Sequence, residues 1–333
     1  MIANRVLDAL GRPYFIAEHE LYLSASIGLA VWPEHGSDVQ VLMQHADIAM
    51  YRAKDQGKGG HCIFSPQLVE KGAYRLRLEA AMHEGIRNGE FSLHYQPIVN
   101  PHTRRPYAVE ALMRWERPGE ASMSPAEFIP LAEANGLITL LGAWALRTAC
   151  HQAVCWHAEG LPGICVSVNV SPRQFRQSDF ARVVRQALAQ SGLEPARLIL
   201  EITEGVLMHD PAQAELVLLE LTALGIKVSV DDFGTGYSSL GYLKRFPLST
   251  LKIDRSFVKD LPHNANDVAI VGAVLGLARE LKLNVVAEGV ETEAQLRMLS
   301  ERGCTYVQGY LTGKPMPAAK LHAALVFPAA EAA

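Results

Sequence analysis

Short apolar runs alternate with longer amphipathic stretches along most of this chain. Eight runs have the length and composition of buried β-strands, at residues 91–99, 108–113, 165–170, 198–202, 227–230, 251–253, 285–287 and 306–309. The segments between them have helical periodicity, most clearly at 74–88, 180–190, 212–224, 269–281 and 293–302. Eight strands that alternate with helices over ~250 residues predict an α/β fold, a (β/α)₈ barrel of the TIM type. A doubly wound open sheet is the alternative.

The first part of the chain has a different pattern. Residues 22–31 alternate and are rich in β-formers, a helix with Ser37 as its N-cap is expected next, and residues 61–64 fit a short strand. One hairpin and one helix bury too little apolar surface to fold alone. We therefore expect residues 1–65 to be part of a domain, residues 66–75 to be a linker and residues 76–326 to form the barrel.

Charge and composition narrow the class of protein. The formal net charge is −4, so the chain lacks the excess positive charge that is typical of proteins that bind a nucleic-acid polymer or an anionic membrane. The longest apolar stretch, 269–278, is far shorter than the ~20 residues that span a bilayer, and the amino terminus has no signal segment. Five scattered cysteines indicate reduced thiols rather than a disulfide framework or a zinc site. We expect a cytoplasmic protein without membrane insertion.

Polar side chains occur in or just after nearly every apolar run, close to its carboxyl end. In chain order they are Gln96, Glu110, Asn169, Glu201, Asp231 with Asp232, Lys252 with Asp254, Glu288 and Gln308. In a barrel this end of the strands is the active-site face. Any one of these residues alone could be a helix cap or a salt-bridge partner, but the joint pattern favours one shared site. The Gly- and Ser-rich stretch 234–240 lacks the ending of a P-loop and is expected to be a mobile active-site loop.

The predicted site carries more negative charge than its single lysine can neutralise. Five acids would converge on one lysine, and two carboxylates ~4 Å apart repel by ~4 kcal/mol at an effective dielectric constant of 20. Divalent cations would relieve this repulsion, and oxygen ligands without His or Cys favour Mg²⁺ or Mn²⁺ over zinc. Two such ions ~3.5–4 Å apart are the arrangement that hydrolyses phosphate esters.

Several segments together resemble the motifs of the EAL family of cyclic di-GMP phosphodiesterases. In chain order they are Tyr95-Gln96-Pro97, Glu110-Ala111-Leu112 with Met113-Arg114-Trp115, Asn169-Val170-Ser171, Glu201-Ile202-Thr203-Glu204, Asp231-Asp232-Phe233-Gly234-Thr235-Gly236, Leu251-Lys252-Ile253-Asp254, Ala287-Glu288-Gly289-Val290-Glu291 and Gln308-Gly309-Tyr310. The resemblance covers residues 75–326 and implies a modified barrel with one antiparallel strand. It also implies two bound Mg²⁺ or Mn²⁺ ions and hydrolysis of cyclic di-GMP to linear 5′-phosphoguanylyl-guanosine.

The same resemblance implies a role for each matching residue. The metal ligands, direct or through water, are implied to be Glu110, Asn169, Glu201, Asp231, Asp232 and Glu288. The implied catalytic residues are Lys252, which orients or helps to deprotonate the attacking water, Glu288, and Gln308, which holds a metal-bound water. The implied substrate contacts are Gln96, Arg114, Asp254 and Glu291, and Glu204 is implied to steady the loop after Asp232. Because Ca²⁺ is larger than Mg²⁺ and less strict in its geometry, we expect Ca²⁺ to inhibit.

Residues 24–30 and 45–54 resemble the carboxyl-terminal half of a GGDEF (diguanylate cyclase) domain. The signature turn and the metal aspartate of that domain are absent, which implies that this chain has no cyclase activity. EAL relatives are often dimers through helices near residues 238–246 and 269–281, so a homodimer through the barrel is expected. Two alternatives to an active phosphodiesterase stay open. One is a non-catalytic receptor for cyclic di-GMP, and the other is an unrelated barrel enzyme in which Lys252 forms a Schiff base.

Overall fold

The chain divides into two units, each described here by itself. The computed structural model describes residues 2–16, 19–55, 59–119, 122–234 and 240–326. One unit is Met1–Met82 and the other is His83–Ala333. Within the described ranges, no helix combines the length and the apolar character that crossing a membrane requires.

The first unit contains two small sheets. Its elements are α1 (Ile2–Leu10), β1 (Tyr14–Ile16), β2 (His19–Leu21), β3 (Ile27–Leu29), α2 (Val39–Asp55), β4 (His61–Ile63) and α3 (Pro66–Asn88). The last of these, α3, extends beyond the end of the unit at Met82. Strands β1 and β2 are antiparallel, whereas β3 and β4 are parallel because α2 connects them. The predicted strand 22–31 is therefore shorter than expected. Residues 66–75, the predicted linker, are helical as the first part of α3, and the proposed domain boundaries stay a prediction.

The second unit is built on a closed barrel of eight strands. They are β5 (Phe91–Val99), β6 (Pro106–Trp115), β7 (Cys165–Val170), β8 (Leu198–Thr203), β9 (Lys227–Phe233), β10 (Thr250–Ile253), β11 (Asn284–Ala287) and β12 (Tyr306–Val307). Strand β5 is antiparallel to β6 and to β12, and the pairing of Val99 with Val307 closes the barrel. The modified barrel is confirmed and the open sheet is wrong. A further strand, β13 (Met316–Pro317), pairs with β5 outside the barrel.

Helices surround the barrel, as the alternating pattern predicts. They are α4 (Pro125–Asn135), α5 (Ile138–Ala158), α6 (Pro172–Phe175), α7 (Phe180–Ser191), α8 (Glu204–His209), α9 (Pro211–Ala223), α10 (Leu240–Leu243), α11 (Arg255–Val258), α12 (Ala265–Glu280), α13 (Glu293–Glu301) and α14 (Ala318–Val326). The short helix α6 begins at a capping box in which the Ser171 hydroxyl accepts from the Gln174 N–H. Thr292 and Gln295 start α13 in the same way. The larger apolar core lies between these helices and the outer face of the strands.

The interior of the barrel has an apolar layer below a polar one. Five buried residues form the apolar layer: Ile98, Ala108, Cys165, Ile199 and Val286. A polar residue lies two positions away from each of them, at Gln96, Glu110, Ser167 and Glu201 within the strands and at Glu288 directly after β11. Side chains two residues apart in a strand point to the same face. The apolar layer therefore closes one end of the barrel, and the polar side chains gather toward the other.

Candidate active site

Strand register brings the predicted site residues together at one end of the barrel. In the pairing of β7 with β8, Asn169 lies opposite Glu201. The reversed strand β5 places Gln96 opposite Glu110, so a residue from an antiparallel strand joins the same layer. Six of the predicted residues are buried, namely Gln96, Glu110, Glu201, Glu204, Lys252 and Gln308. Charged side chains are rarely buried without partners, so their partners define the site.

Lys252 lies at the centre of the acidic residues. Its Nζ is 2.7 Å from Glu201 Oε2 and 2.5 Å from Glu288 Oε1. It is also 3.2 Å from Asp231 Oδ1 and 3.6 Å from Glu110 Oε2. Only 1% of the lysine side chain is exposed, so these ion pairs replace its hydration. One buried ammonium thus contacts four carboxylates from four different strands or strand ends.

Amide side chains fix the orientation of Glu110. Asn169 Nδ2 and Gln308 Nε2 each donate to a different oxygen of this carboxylate at 2.6 Å. Gln308 Nε2 is also 3.1 Å from Gln96 Oε1, and Gln96 Nε2 donates to the carbonyl of Gly313 at 2.9 Å. The donation by Asn169 Nδ2 leaves its Oδ1 as the atom that could bind a cation. The two glutamines connect the carboxylate to the segment that follows β12.

The central lysine stays charged because the acids outweigh its burial. Burial lowers the pKa of Lys252, but Glu110, Glu201 and the other nearby carboxylates raise it well above its usual value. Burial and the charge of Glu110 raise the pKa of Glu201 well above its ordinary range. Burial is also the main reason that the pKa of Glu288 rises to about 7, with Asp231 adding to it. A lysine that forms a Schiff base must lose its proton, so this environment opposes that alternative.

Glu110 behaves in the opposite way to Glu201. Burial would raise its pKa, but the Lys252 ammonium and the hydrogen bonds from Gln308 and Asn169 outweigh burial and lower it. The protein alone thus keeps some of its clustered acids ionised and makes others easier to protonate. Carboxylates with raised pKa values take up protons more readily, and this reduces the repulsion among the clustered carboxylates when no cation is bound.

A β-bulge allows two consecutive aspartates to face the same site. The register of β9 against β10 shifts between two consecutive residue pairings. Over this interval β9 contains two residues, Asp231 and Asp232, whereas β10 contains one, Lys252. Asp232 has a φ of 53°, in the left-handed region that Asp tolerates better than most residues. Carboxylate oxygens of Asp231, Asp232 and Glu288 lie within 4.8 Å of one another. In a regular strand successive side chains point to opposite faces of the sheet, so without the bulge one of the two aspartates would point away from the site.

The donor atoms of this cluster fit a hard divalent cation. The three carboxylates supply only oxygen atoms, as Mg²⁺ and Mn²⁺ require. Gln308 Oε1, a buried oxygen of the site, accepts no hydrogen bond from the described residues, whereas Asp231 Oδ1 has the Lys252 ammonium 3.2 Å away as its ion-pair partner. Buried polar atoms normally have a partner, so an oxygen left without one favours a bound ion or an ion-bound water at this place.

Two cavities flank the carboxylates and share Leu112 and Asp231 in their walls. The first, of about 350 Å³, has mostly apolar walls and includes Arg114. The second, of about 300 Å³, is more polar and includes Glu288, Gln308 and Glu291. We refer to them below as the apolar cavity and the polar cavity. A ligand with two similar halves could place one half on each side of the cluster.

The remaining predicted residues lie around this centre. Glu204 Oε2 accepts from the N–H of Gly234 at 3.5 Å, which is the contact expected of a residue that steadies the segment after Asp232. Asp254 Oδ1 accepts from the Ser256 N–H and caps α11, and it lines neither cavity. Most of the predicted mobile loop, residues 235–239, lies outside the described residues. The substrate roles of Gln96, Arg114, Asp254 and Glu291 stay predictions.

Two residues of the site were missed by reasoning from the sequence. Ser167 Oγ donates to Glu201 Oε1 at 2.6 Å in a fully buried position. Its place two residues before Asn169, on the same face of β7, was the available signal. Arg255 lines the polar cavity and pairs with Glu291 at 3.0 Å. It directly follows Asp254, but no periodicity singled it out.

Comparisons with known proteins agree with this geometry. The EAL domain family model matches residues 79–315, and the model of the diguanylate cyclase GGDEF domain matches residues 1–60. The chain is 46% identical over 325 residues to the bifunctional diguanylate cyclase/cyclic di-GMP phosphodiesterase MucR of Pseudomonas aeruginosa, covering 97% of this chain and 47% of MucR. It is 39% identical over 321 residues to the cyclic di-GMP phosphodiesterase NbdA of the same species, covering 96% of this chain and 41% of NbdA.

The chain thus spans less than half of the length of these two relatives. Among solved structures, the PaMucR phosphodiesterase in complex with c-di-GMP superposes with a TM-score of 0.72 at 46% identity. That match covers 74% of this chain and 99% of the solved one. The chain belongs to the EAL domain family.

Proposed function

We propose that this chain hydrolyses one phosphodiester bond of cyclic di-GMP and releases linear 5′-phosphoguanylyl-guanosine, with two Mg²⁺ or Mn²⁺ ions as cofactors. The observation that carries the proposal is the cluster of Asp231, Asp232 and Glu288 beside the Lys252 ammonium, in a chain of the EAL family. The names of MucR and NbdA, and the bound c-di-GMP of the PaMucR structure, support the choice of substrate.

Five acidic residues of the site and one amide are the ligands in this proposal. Those that would hold the ions, directly or through water, are Glu110, Asn169, Glu201, Asp231, Asp232 and Glu288. Bound divalent ions would lower the pKa of a water and polarise the phosphoryl oxygens. The dianionic substrate would otherwise meet an acidic cavity, so we expect its affinity to depend on the metal.

The protein's own groups would position the reactants. Lys252 would donate a hydrogen bond to the attacking water and orient it, because its raised pKa keeps the ammonium protonated. Gln308 would hold a water through Oε1, since its Nε2 is already engaged by Glu110. Arg114 lies in the apolar cavity and would neutralise a phosphate there. Glu291 would contact the half of the substrate in the polar cavity.

The test is hydrolysis of cyclic di-GMP by this chain, followed by separation of the linear product. We expect turnover with Mg²⁺ or Mn²⁺, none in a chelator, and a loss of at least about 100-fold in Glu110→Gln. Glu280→Gln, an exposed acid at the end of α12, is the matched control and should retain full activity. Full activity of Glu110→Gln would contradict the ligand assignment. Tight binding without product would favour the receptor function instead.

Ca²⁺ provides a second test of the proposed metal geometry. Mg²⁺ requires near-octahedral coordination at ~2.0–2.1 Å, and Ca²⁺ binds oxygen at longer distances with a looser shell. We expect Ca²⁺ to compete with Mg²⁺ and inhibit turnover, and equal rates with the two ions would contradict this. The homodimer through the barrel stays a prediction, which sedimentation of the purified chain would check.

A further inference from the structure

The buried hydroxyl of Ser167 forms a hydrogen bond to the Glu201 carboxylate alone. Its Oγ donates to Glu201 Oε1 at 2.6 Å, and the hydroxyl makes no other hydrogen bond within the described ranges. The side chain has no exposed surface and lines neither cavity, so a substrate bound there would not touch it. Ser167 therefore influences the site through Glu201 rather than through the reacting molecule.

Strand register shows from which side each partner reaches the Glu201 carboxylate. Ser167 lies opposite Ile199, two residues before Glu201 in β8, and so approaches from the closed end of the barrel. Lys252 approaches from the other side, because the register places it two residues nearer the open end than Glu201. Its Nζ is 2.7 Å from Glu201 Oε2. The two donors thus hold Oε1 and Oε2 in opposite directions.

These two contacts fix the plane of the carboxylate. Rotation about its Cγ–Cδ bond would break the hydrogen bond from Ser167, which is stronger to an ionised oxygen than to a neutral one. Each carboxylate oxygen has two lone pairs, so Oε2 can bind a cation in addition to its ion pair with Lys252. Without the hydroxyl, both oxygens could turn toward the Lys252 ammonium, which would then compete with a metal ion for the whole carboxylate.

We propose that Ser167 is a positioning residue that holds Glu201 in the orientation in which Oε2 is presented to a divalent cation. This inference rests on the proposed function, because it takes Glu201 as a ligand of the Mg²⁺ or Mn²⁺ ions. Mg²⁺ tolerates little departure from octahedral geometry, so the direction of each ligand oxygen affects its binding. Groups that form a hydrogen bond to a metal ligand typically contribute a factor of about 10–100 to metal affinity.

A second buried serine beside the same carboxylate provides the matched control. Ser229, on β9, is directly opposite Glu201 and is 1% exposed. Its Oγ has no hydrogen-bond partner among the described residues. Ser229→Ala therefore removes a hydroxyl from the same interior without removing a hydrogen bond to Glu201.

The test measures the dissociation constant of Mn²⁺ for the full chain, from the electron paramagnetic resonance signal of the free ion. We expect Ser167→Ala to raise this constant by at least about tenfold and Ser229→Ala to leave it unchanged. Ser167→Cys, with a weak donor of similar size, should give a value between those of the wild type and Ser167→Ala. In hydrolysis of cyclic di-GMP by Ser167→Ala, the Mn²⁺ concentration for half-maximal turnover should rise by the same factor, while turnover at saturating Mn²⁺ stays close to that of the wild type.

A wild-type dissociation constant in Ser167→Ala, or an equal increase in Ser229→Ala, would overturn the proposal. If thermal unfolding in a chelator shows that Ser167→Ala is unfolded at the assay temperature, a wild-type constant in Ser167→Cys would overturn it instead. Mn²⁺ binding requires no turnover. A wild-type chain that binds Mn²⁺ but leaves cyclic di-GMP intact would contradict the proposed function, and the same constants would still test the role of Ser167.

Discussion

Removal of the Lys252 ammonium should destabilise the barrel strongly, and divalent cations should reverse part of the loss. Lys252→Met keeps much of the side-chain volume but leaves Glu110, Glu201, Asp231 and Glu288 without their shared counter-charge. Breaking a buried ion pair from one side costs about 3–5 kcal/mol. For a domain of this size that corresponds to a decrease of roughly 6–20 °C in Tm.

Cations should act more strongly on the variant than on the wild type. In the wild type the ammonium and a bound metal ion would compete for the same carboxylates and repel each other. A ligand at a concentration of about 100 times its Kd raises the free energy of unfolding of the protein by about 2.7 kcal/mol. We expect Mg²⁺ to stabilise the variant more than the wild type, because the variant should bind Mg²⁺ more tightly.

Tryptophan fluorescence during thermal unfolding is the suitable assay. Trp115 and Trp156 are at most 1% exposed and belong to the barrel unit, so their emission reports on its unfolding. Each protein is measured in a chelator and at saturating Mg²⁺, with Lys320→Met as the exposed control. The reasoning is refuted if Lys252→Met unfolds at the wild-type temperature in the chelator, or if Mg²⁺ raises its Tm less than that of the wild type.

Three further predictions concern the interior of the barrel unit. Ser167→Ala leaves Glu201 Oε1 without its buried donor, and urea denaturation should show a loss of about 1–3 kcal/mol in the free energy of unfolding. Gly309→Ala should destabilise by about 1–3 kcal/mol, because its Cβ would lie 2.0 Å from the backbone oxygen of Val290; a wild-type midpoint in urea would contradict this. Burial raises the pKa of Cys304 to about 12, so a maleimide at neutral pH should label this residue only in urea; peptide mapping that finds Cys304 itself labelled rapidly in the native chain would contradict the burial.

The architecture of the barrel could be predicted from the sequence because its strands are buried on both faces. Such strands appear as short continuous apolar runs, and runs such as 165–170 coincide with the strand in the structure. The polar residues at the ends of these runs were informative because a barrel brings all of these ends to one face. Glu110 and Glu201 could therefore be assigned to one site without knowledge of any contact.

Features that depend on side-chain geometry could not be predicted. The position of Lys252 between four carboxylates follows from strand register, which a single sequence does not specify. The antiparallel pairing of Tyr14–Ile16 with His19–Leu21 was missed because the sequence has no Gly, Asn or Asp between the two strands. The strand predicted at 22–31 is reduced to Ile27–Leu29, since alternation alone does not show where a partner strand is present.

The bulge at Asp231 and Asp232 connects backbone conformation to the charge of the site. In a regular strand only one of two consecutive aspartates can point inward, so the residue pair by itself predicts a turn as readily as a metal site. The extra residue in β9, with Asp232 in the left-handed region, lets both carboxylates approach Glu288. A left-handed non-glycine residue costs of order 1 kcal/mol, and bringing like charges together costs more, so neither feature stabilises the protein alone. Binding of a divalent cation, as proposed above, would offset both costs.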